Sequence, residues 1–297
     1  KAPSPTRWAV DISRVLNMVL GAEHFPIKVE EVAIEFSHQR FPQDPITLVA
    51  GNNLHSFDGA LFRAPGGKRG WGIIYNNAIR SRGRINFTLA HEFGHYLLHR
   101  LTYPDGIRCG QQDVVRWDSE YGQVEHEANV FAANLLMPLD DYRRQIDARS
   151  PVDLDQLAHC ADRYEVSLMA ATLRWLEYTQ RRAVLVVSRD DYVLWARSSK
   201  NALKTGAYFR TSRGPIAVPG HSIAARCNTV ESPRNGMELP AGVWFNEPCR
   251  EMTVFSEQYD FIISVLQLSN DNGRAQSDEG EDDDEDLVDR IRRNHGL

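Results

Sequence analysis

The sequence predicts an α+β chain: a mostly helical N-terminal domain with a small sheet, a helix-turn-helix-like helical segment, and a mostly β C-terminal domain. Three observations predict it. Before Ala183, apolar residues recur mainly with the period of a helix. Within that region WGIIYNN (Trp71 to Asn77) reads as a short strand closed by an Asn-Asn turn. After Ala183, short β-type runs alternate with Gly, Pro, Asn and Asp clusters. The expected divisions are a first domain over 1–149, a helical segment over 150–182, a β-rich domain over 183–268 and an acidic tail over 269–297.

The elements follow in order. Trp8, Ile12, Val15, Leu16, Val19 and Leu20 share one helical face, and Gly21 is a natural stop. Val29, Val32, Ala33 and Phe36 predict a second helix after Pro26. A loop-rich stretch containing GNN and APGGKRG precedes WGIIYNN. The next helix runs from about Phe87 to His99, and a polar loop from Arg100 to about Gly122 leads to the helix VEHEANVFAANLLMP, ended by Pro138. Asp153 to Thr179 reads as two helices around a turn, with Ser167 as N-cap of the second. AVLVVS, DYVLWA, GVWFN, EMTVF and FIISVLQL are the expected strands of the C-terminal domain, and SDEGEDDDEDLVDR is an acidic run expected to be solvated and disordered.

Composition narrows the function classes. The 297 residues are 42% hydrophobic and 25% charged, ordinary for one large or two modest domains. The apolar runs are too short to span a bilayer, and the polar, Pro-containing start KAPSPTRW is not a signal peptide. The first residue is not Met, which leaves open whether a segment precedes it. Cys109, Cys160, Cys227 and Cys249 form no C-x-x-C pair, which suits neither a disulfide framework nor a Cys-rich zinc knuckle. That usage points to a reducing compartment, and a cytoplasmic location is expected. The formal charge of −6 is uneven: the last 27 residues hold ten acids and four bases, leaving 30 of each for the body. A neutral body gives no electrostatic case for nucleic acid.

The chemistry-bearing stretch is LAHEFGHYLLH, Leu89 to His99. On a helix, His91 and His95 at i and i+4 project from one face and can bind one ion. Glu92 is turned about 100° off that face, which places it beside the ion, where it can take a proton from an attacking water. The plainer alternative is an exposed helix with solvated histidines. Ala90 and Gly94 speak against it: Gly inside a helix costs about 1 kcal/mol relative to Ala, a cost that close approach of another element would explain.

A catalytic zinc takes three protein ligands and keeps one position open. His99 fails as the third, because it lies about 12 Å along the helix axis from His91, and the third-His pattern of metzincins is missing after His95. His99 is assigned to packing or to support of a ligand. In the next helix, Glu125 has Asn129 at i+4, a polar neighbour able to fix a ligand by a hydrogen bond. Its rival Glu127 has Phe131 there. Glu125 is therefore the expected ligand, a carboxylate in an otherwise apolar helix that needs a cation nearby.

RINFTLAHEFGHYLLH followed by EHEANVFAANLLMP resembles the ImmA/IrrE-type metallo-endopeptidases, bacterial zinc peptidases of the gluzincin kind, over about Trp8 to Arg149. The resemblance implies a zincin-like peptidase fold, zinc held by His91, His95 and Glu125, and Glu92 as the base. It also implies a substrate, a helix-turn-helix repressor of the XRE type, whose cleavage releases genes, as in transcription regulation and stress responses. Asn129 stands where thermolysin-like enzymes have Asp, which makes that support of the site neutral. WGIIYNN is expected to offer an exposed strand edge to a peptide, with Tyr75 either packing or donating to an oxyanion. The helix pair before Ala183 suggests packing rather than DNA reading, since SLMAAT supplies no base-reading side chain and the first basic residue is Arg174. No membrane and no direct nucleic-acid partner are expected, and the oligomeric state stays open. The alternative function is a DNA- or protein-binding regulator with a vestigial zinc helix; the intact Glu92 favours the enzyme.

Overall fold

The computed structural model describes residues 3–54, 56–110, 120–226, 232–256 and 260–270. The acidic tail and Cys227 lie outside the described residues. Among the described residues the chain divides into two compact units: the first holds the chain up to Asp141 and Ala161–Ser167, and the second holds Tyr142–Cys160 and the chain from Leu168 to Asn270.

In the first unit α1 (Pro5–Leu20) starts where Ser4 accepts a hydrogen bond from the Arg7 amide, with Pro5 in the first turn. It stops at Gly21, whose φ of 80° few other residues adopt. α2 (Val29–Arg40) follows. β1 (Ile46–Asn52), β2 (Phe57–Arg63), β3 (Trp71–Asn76) and β4 (Gly106–Gly110) make a sheet in the order β1-β3-β2-β4. β1 and β3 are parallel and the other pairings antiparallel. The stretch read as loop-rich thus contains two strands, and the polar loop contains a third.

The expected edge position of WGIIYNN is corrected as well. β3 is paired on both sides, by β1 and β2, and offers no free edge. Among the described residues β1 and β4 are the outer strands.

α3 (Arg82–His99) begins five residues earlier than its apolar period predicts, because Ser81 caps it by accepting from the Arg84 amide. It packs on β2, β3 and α4 (Glu120–Leu136), and α1 packs on α4. The core between them is aromatic: Phe93 meets Phe131 edge to face at 5.5 Å, and Trp71 and Tyr96 are fully buried.

α5 (Leu139–Gln145) and α6 (Leu154–Tyr164) each contain a point where the chain passes from one unit to the other. In the second unit α7 (Leu168–Tyr178) starts directly after Ser167. Most of its residues are buried, including Arg174, which donates to Glu177.

β5 (Arg182–Arg189), β6 (Tyr192–Ser198), α8 (Lys200–Lys204), β7 (Ile216–Ala217), β8 (Met237–Leu239), β9 (Cys249–Ser256) and β10 (Phe261–Leu268) follow. Their six strands form one antiparallel sheet, β7-β6-β5-β10-β9-β8. β5 and β10 are central and nearly all buried, which is why both read as continuous apolar runs. Asp190 and Asp191, both at positive φ, close the two-residue turn between β5 and β6, the backbone signature of a type I′ hairpin.

GVWFN is not a strand. It is a turn whose Trp244 is buried in the sheet's core and donates to Glu251. Glu251 is fully buried. Its carboxylate also accepts from the Ile223 and Ala224 amides, Thr253 and Ser264, fastening two connecting segments to β9. Among the described residues no helix is long and apolar enough to cross a membrane.

Candidate metal centre

α3 and α4 lie side by side, and the site is built where they touch. Gly94 permits the approach: a Cβ there would stand 3.0 Å from Phe131 Cδ1 and 3.3 Å from the Ala128 backbone. The structure thereby explains why a helix interior carries glycine.

His91, His95 and His99 stand one turn apart on α3, and all three are buried. From α4, Glu125 Oε2 lies 3.2 Å from His91 Nε2, and Oε1 lies 3.2 Å from His95 Nε2. The two Nε2 atoms are 2.9 Å apart. One donor atom from each of His91, His95 and Glu125 falls within 4.8 Å of the others, the one such group of His, Cys, Asp and Glu among the described residues.

The remaining ring nitrogens are held as well. His91 Nδ1 lies 2.8 Å from Asn129 Oδ1, the residue the sequence singled out as a fixing partner. His95 Nδ1 lies 3.0 Å from His99 Nδ1, and His99 Nε2 lies 3.2 Å from Glu127 Oε2. His99 is therefore placed against a candidate ligand, and Glu127 is reached through it.

Burial opposes ionisation of Glu125, yet the charge and hydrogen bonds of His91 and His95 outweigh it and hold the carboxyl well below its ordinary range. Burial, and then the neighbouring His95, pull the His99 imidazole down to about 4 against the partial opposition of Glu127. His99 is thus neutral near pH 7. Two imidazoles and one carboxylate with converging donor atoms are a donor set that fits a divalent cation of the zinc class.

Glu92, also fully buried, lies off the ligand face against β2. A Cβ on Gly59 would stand 2.5 Å from Thr88 Cγ2 and 2.9 Å from Glu92 Oε1, so β2 approaches the carboxylate through a residue without a side chain. Nothing in the sequence singled out Gly59, because its reason is a contact with a helix far along the chain. Tyr75 lies across β1, where a Cβ on Gly51 would meet its hydroxyl at 3.1 Å.

Residues 43–176 match the family model Peptidase M78, described as an IrrE N-terminal-like domain. This part of the chain is similar to the peptidase domain of the ImmA/IrrE family. The matched segment contains α3, α4 and all four candidate residues. That similarity supports a hydrolase of the metallopeptidase class. Among solved structures, one described as a Mycobacterium tuberculosis transcriptional regulator aligns with 86% of this chain and 76% of that one, at 13% identity and a TM-score of 0.48. No curated protein matches the chain in sequence.

Proposed function

We propose that the protein is a zinc-dependent endopeptidase that cuts a regulatory protein, an XRE-type helix-turn-helix repressor, and so derepresses genes. The observation that carries this reading is the convergence of His91, His95 and Glu125 beside Glu92 within a Peptidase M78 domain.

In this reading His91 and His95, through Nε2, and Glu125, through its carboxylate, would hold a zinc ion. A zinc ion there would supply Lewis acidity, polarising the scissile carbonyl and acidifying the attacking water. Glu92 takes the proton from that water and passes it to the leaving amine. Burial of the ligands keeps bulk water out and strengthens these interactions. With β3 enclosed in the sheet, the outer strand β4 replaces WGIIYNN as the edge to which an extended substrate segment adds. β4 pairs with β2 at Gly59, the strand position beside Glu92.

An extended segment is most accessible in linkers, so cleavage falls after the repressor's helix-turn-helix or between its domains. Selectivity against other cytoplasmic proteins then comes from outside the cleft, and the C-terminal sheet unit is the surface assigned to docking or sensing.

The test is incubation of zinc-loaded protein with candidate repressors from its own genome, read by mass spectrometry. Discrete cleavage by the wild type, with Glu92→Gln inactive but still zinc-loaded, is expected. Retained turnover in Glu92→Gln would remove Glu92 as the base, and rapid digestion of casein would indicate a general protease.

A further inference from the structure

The two histidines of the metal centre are held in different ways. His91 Nδ1 faces a neutral amide oxygen, that of Asn129, in one step. His95 Nδ1 faces another imidazole, and that imidazole faces the Glu127 carboxylate. This asymmetry has a definite proton logic, which rests on the reading of His91, His95 and Glu125 as metal ligands.

An imidazole nitrogen that gives its lone pair to a cation carries no proton. His95 Nε2 points at His91 Nε2 and Glu125, so the proton of neutral His95 sits on Nδ1. At 3.0 Å, His99 Nδ1 can accept that N–H only if it carries none itself. The His99 proton is then on Nε2, where it is donated to Glu127 Oε2 at 3.2 Å. Each tautomer thus fixes the next, from the partly exposed Glu127 inward to the buried ligand. Glu127 stands two residues from Glu125 on α4, so one helix supplies both the direct ligand and the far end of the chain.

We propose that His99 and Glu127 are positioning residues that fix the tautomer and ring orientation of His95 through the sequence His95 Nδ1–H to His99 Nδ1 and His99 Nε2–H to Glu127. His99 is more than a packing residue in this arrangement. It supplies an acceptor for the buried His95 N–H, and the carboxylate behind it strengthens that acceptor.

Substitution separates this role from packing. His99→Phe keeps the ring and removes both nitrogens, whereas His99→Asn places an amide oxygen close to where Nδ1 was. Zinc affinity is measured by competition with a chromophoric chelator. His99→Phe should weaken it by about 10- to 100-fold, and His99→Asn should recover most of that loss. Nitrogen-resolved NMR of the zinc-loaded wild type should show His95 protonated at Nδ1, with a slowly exchanging proton that broadens or disappears in His99→Phe.

Wild-type affinity in His99→Phe, or equal losses in Phe and Asn, would overturn the proposal. If His99→Phe fails to fold by circular dichroism, Glu127→Leu and Glu127→Gln decide: affinity unchanged from wild type in both overturns it, and a greater loss in Leu than in Gln supports it. A wild-type protein that binds no zinc would instead overturn the metal-site reading.

Discussion

Replacing Gly94 by alanine tests whether helix spacing sets the candidate metal centre. The added methyl carbon would stand 3.0 Å from Phe131 Cδ1 and 3.3 Å from Ala128 Cα and O. Carbon pairs settle at about 3.5–4.0 Å, so the two helices must part by roughly half an ångström. Phe131 is fully buried and Ala128 offers backbone, so neither can simply turn aside. Alanine gains about 1 kcal/mol of helix propensity, while overpacking of this kind costs about 1–3 kcal/mol. The net effect on the metal-free protein is a loss of up to about 2 kcal/mol.

The effect on metal should be larger in proportion. His91 and His95 ride on α3 and Glu125 on α4, and ligand distances tolerate only about 0.2 Å. Zinc should bind at least about tenfold more weakly. Chelator competition reads the affinity and thermal melting of metal-free protein reads the stability. In a Phe131→Val background, which removes the nearest atom, Gly94→Ala should cost much less of either. Unchanged zinc affinity, or a raised melting temperature, would refute the idea that Gly94 sets the spacing.

Other perturbations probe other parts. Glu125→Ala should lose zinc affinity by far more than Glu127→Ala, since Glu127 acts only through His99; a metal-free Glu127→Ala beside a loaded Glu125→Ala would reverse the ligand assignment. Glu251→Gln turns an amide nitrogen toward two N–H donors and should destabilise the protein by about 2–4 kcal/mol in urea titration; an unchanged midpoint would show that the carboxylate is not the anchor of its unit. Burial, and then the Glu251 charge, push the Cys249 thiol from 9.0 up to about 12. The unfolded thiol therefore ionises first, and this group's contribution to native stability declines as pH rises from 9 toward 12. Accordingly iodoacetamide at pH 8 should modify Cys249 only after denaturation, and rapid labelling of the native protein would contradict its burial.

The grouping of His91, His95 and Glu125 was legible in the sequence because helical periodicity converts spacing into geometry. His91 and His95 four apart, and Glu125 four before Asn129, can be placed on faces without knowing the fold. Their partners were legible only in part. Asn129 was expected to fix a ligand, but the link from His99 to Glu127 depends on the side-by-side position of α3 and α4. Strands were harder. β1 has no clean alternation of buried and exposed residues, and β4 is five residues long in a polar setting. WGIIYNN was recognised as a strand and misjudged as an edge, because order along the chain does not give order across a sheet. GVWFN misled because an apolar run can cover a core as well as cross it.

The chain changes units after Asp141, again after Cys160 and again after Ser167. Neither unit is therefore one uninterrupted length of polypeptide. A cut anywhere between these points strands a piece of one unit on the fragment that carries the other, so separately produced halves begin with missing parts. Melting one unit also releases the ends of segments that belong to its neighbour, which couples the two losses of order. Calorimetry should then record a single cooperative transition, and zinc bound at α3 and α4 should raise the temperature at which the C-terminal sheet unfolds.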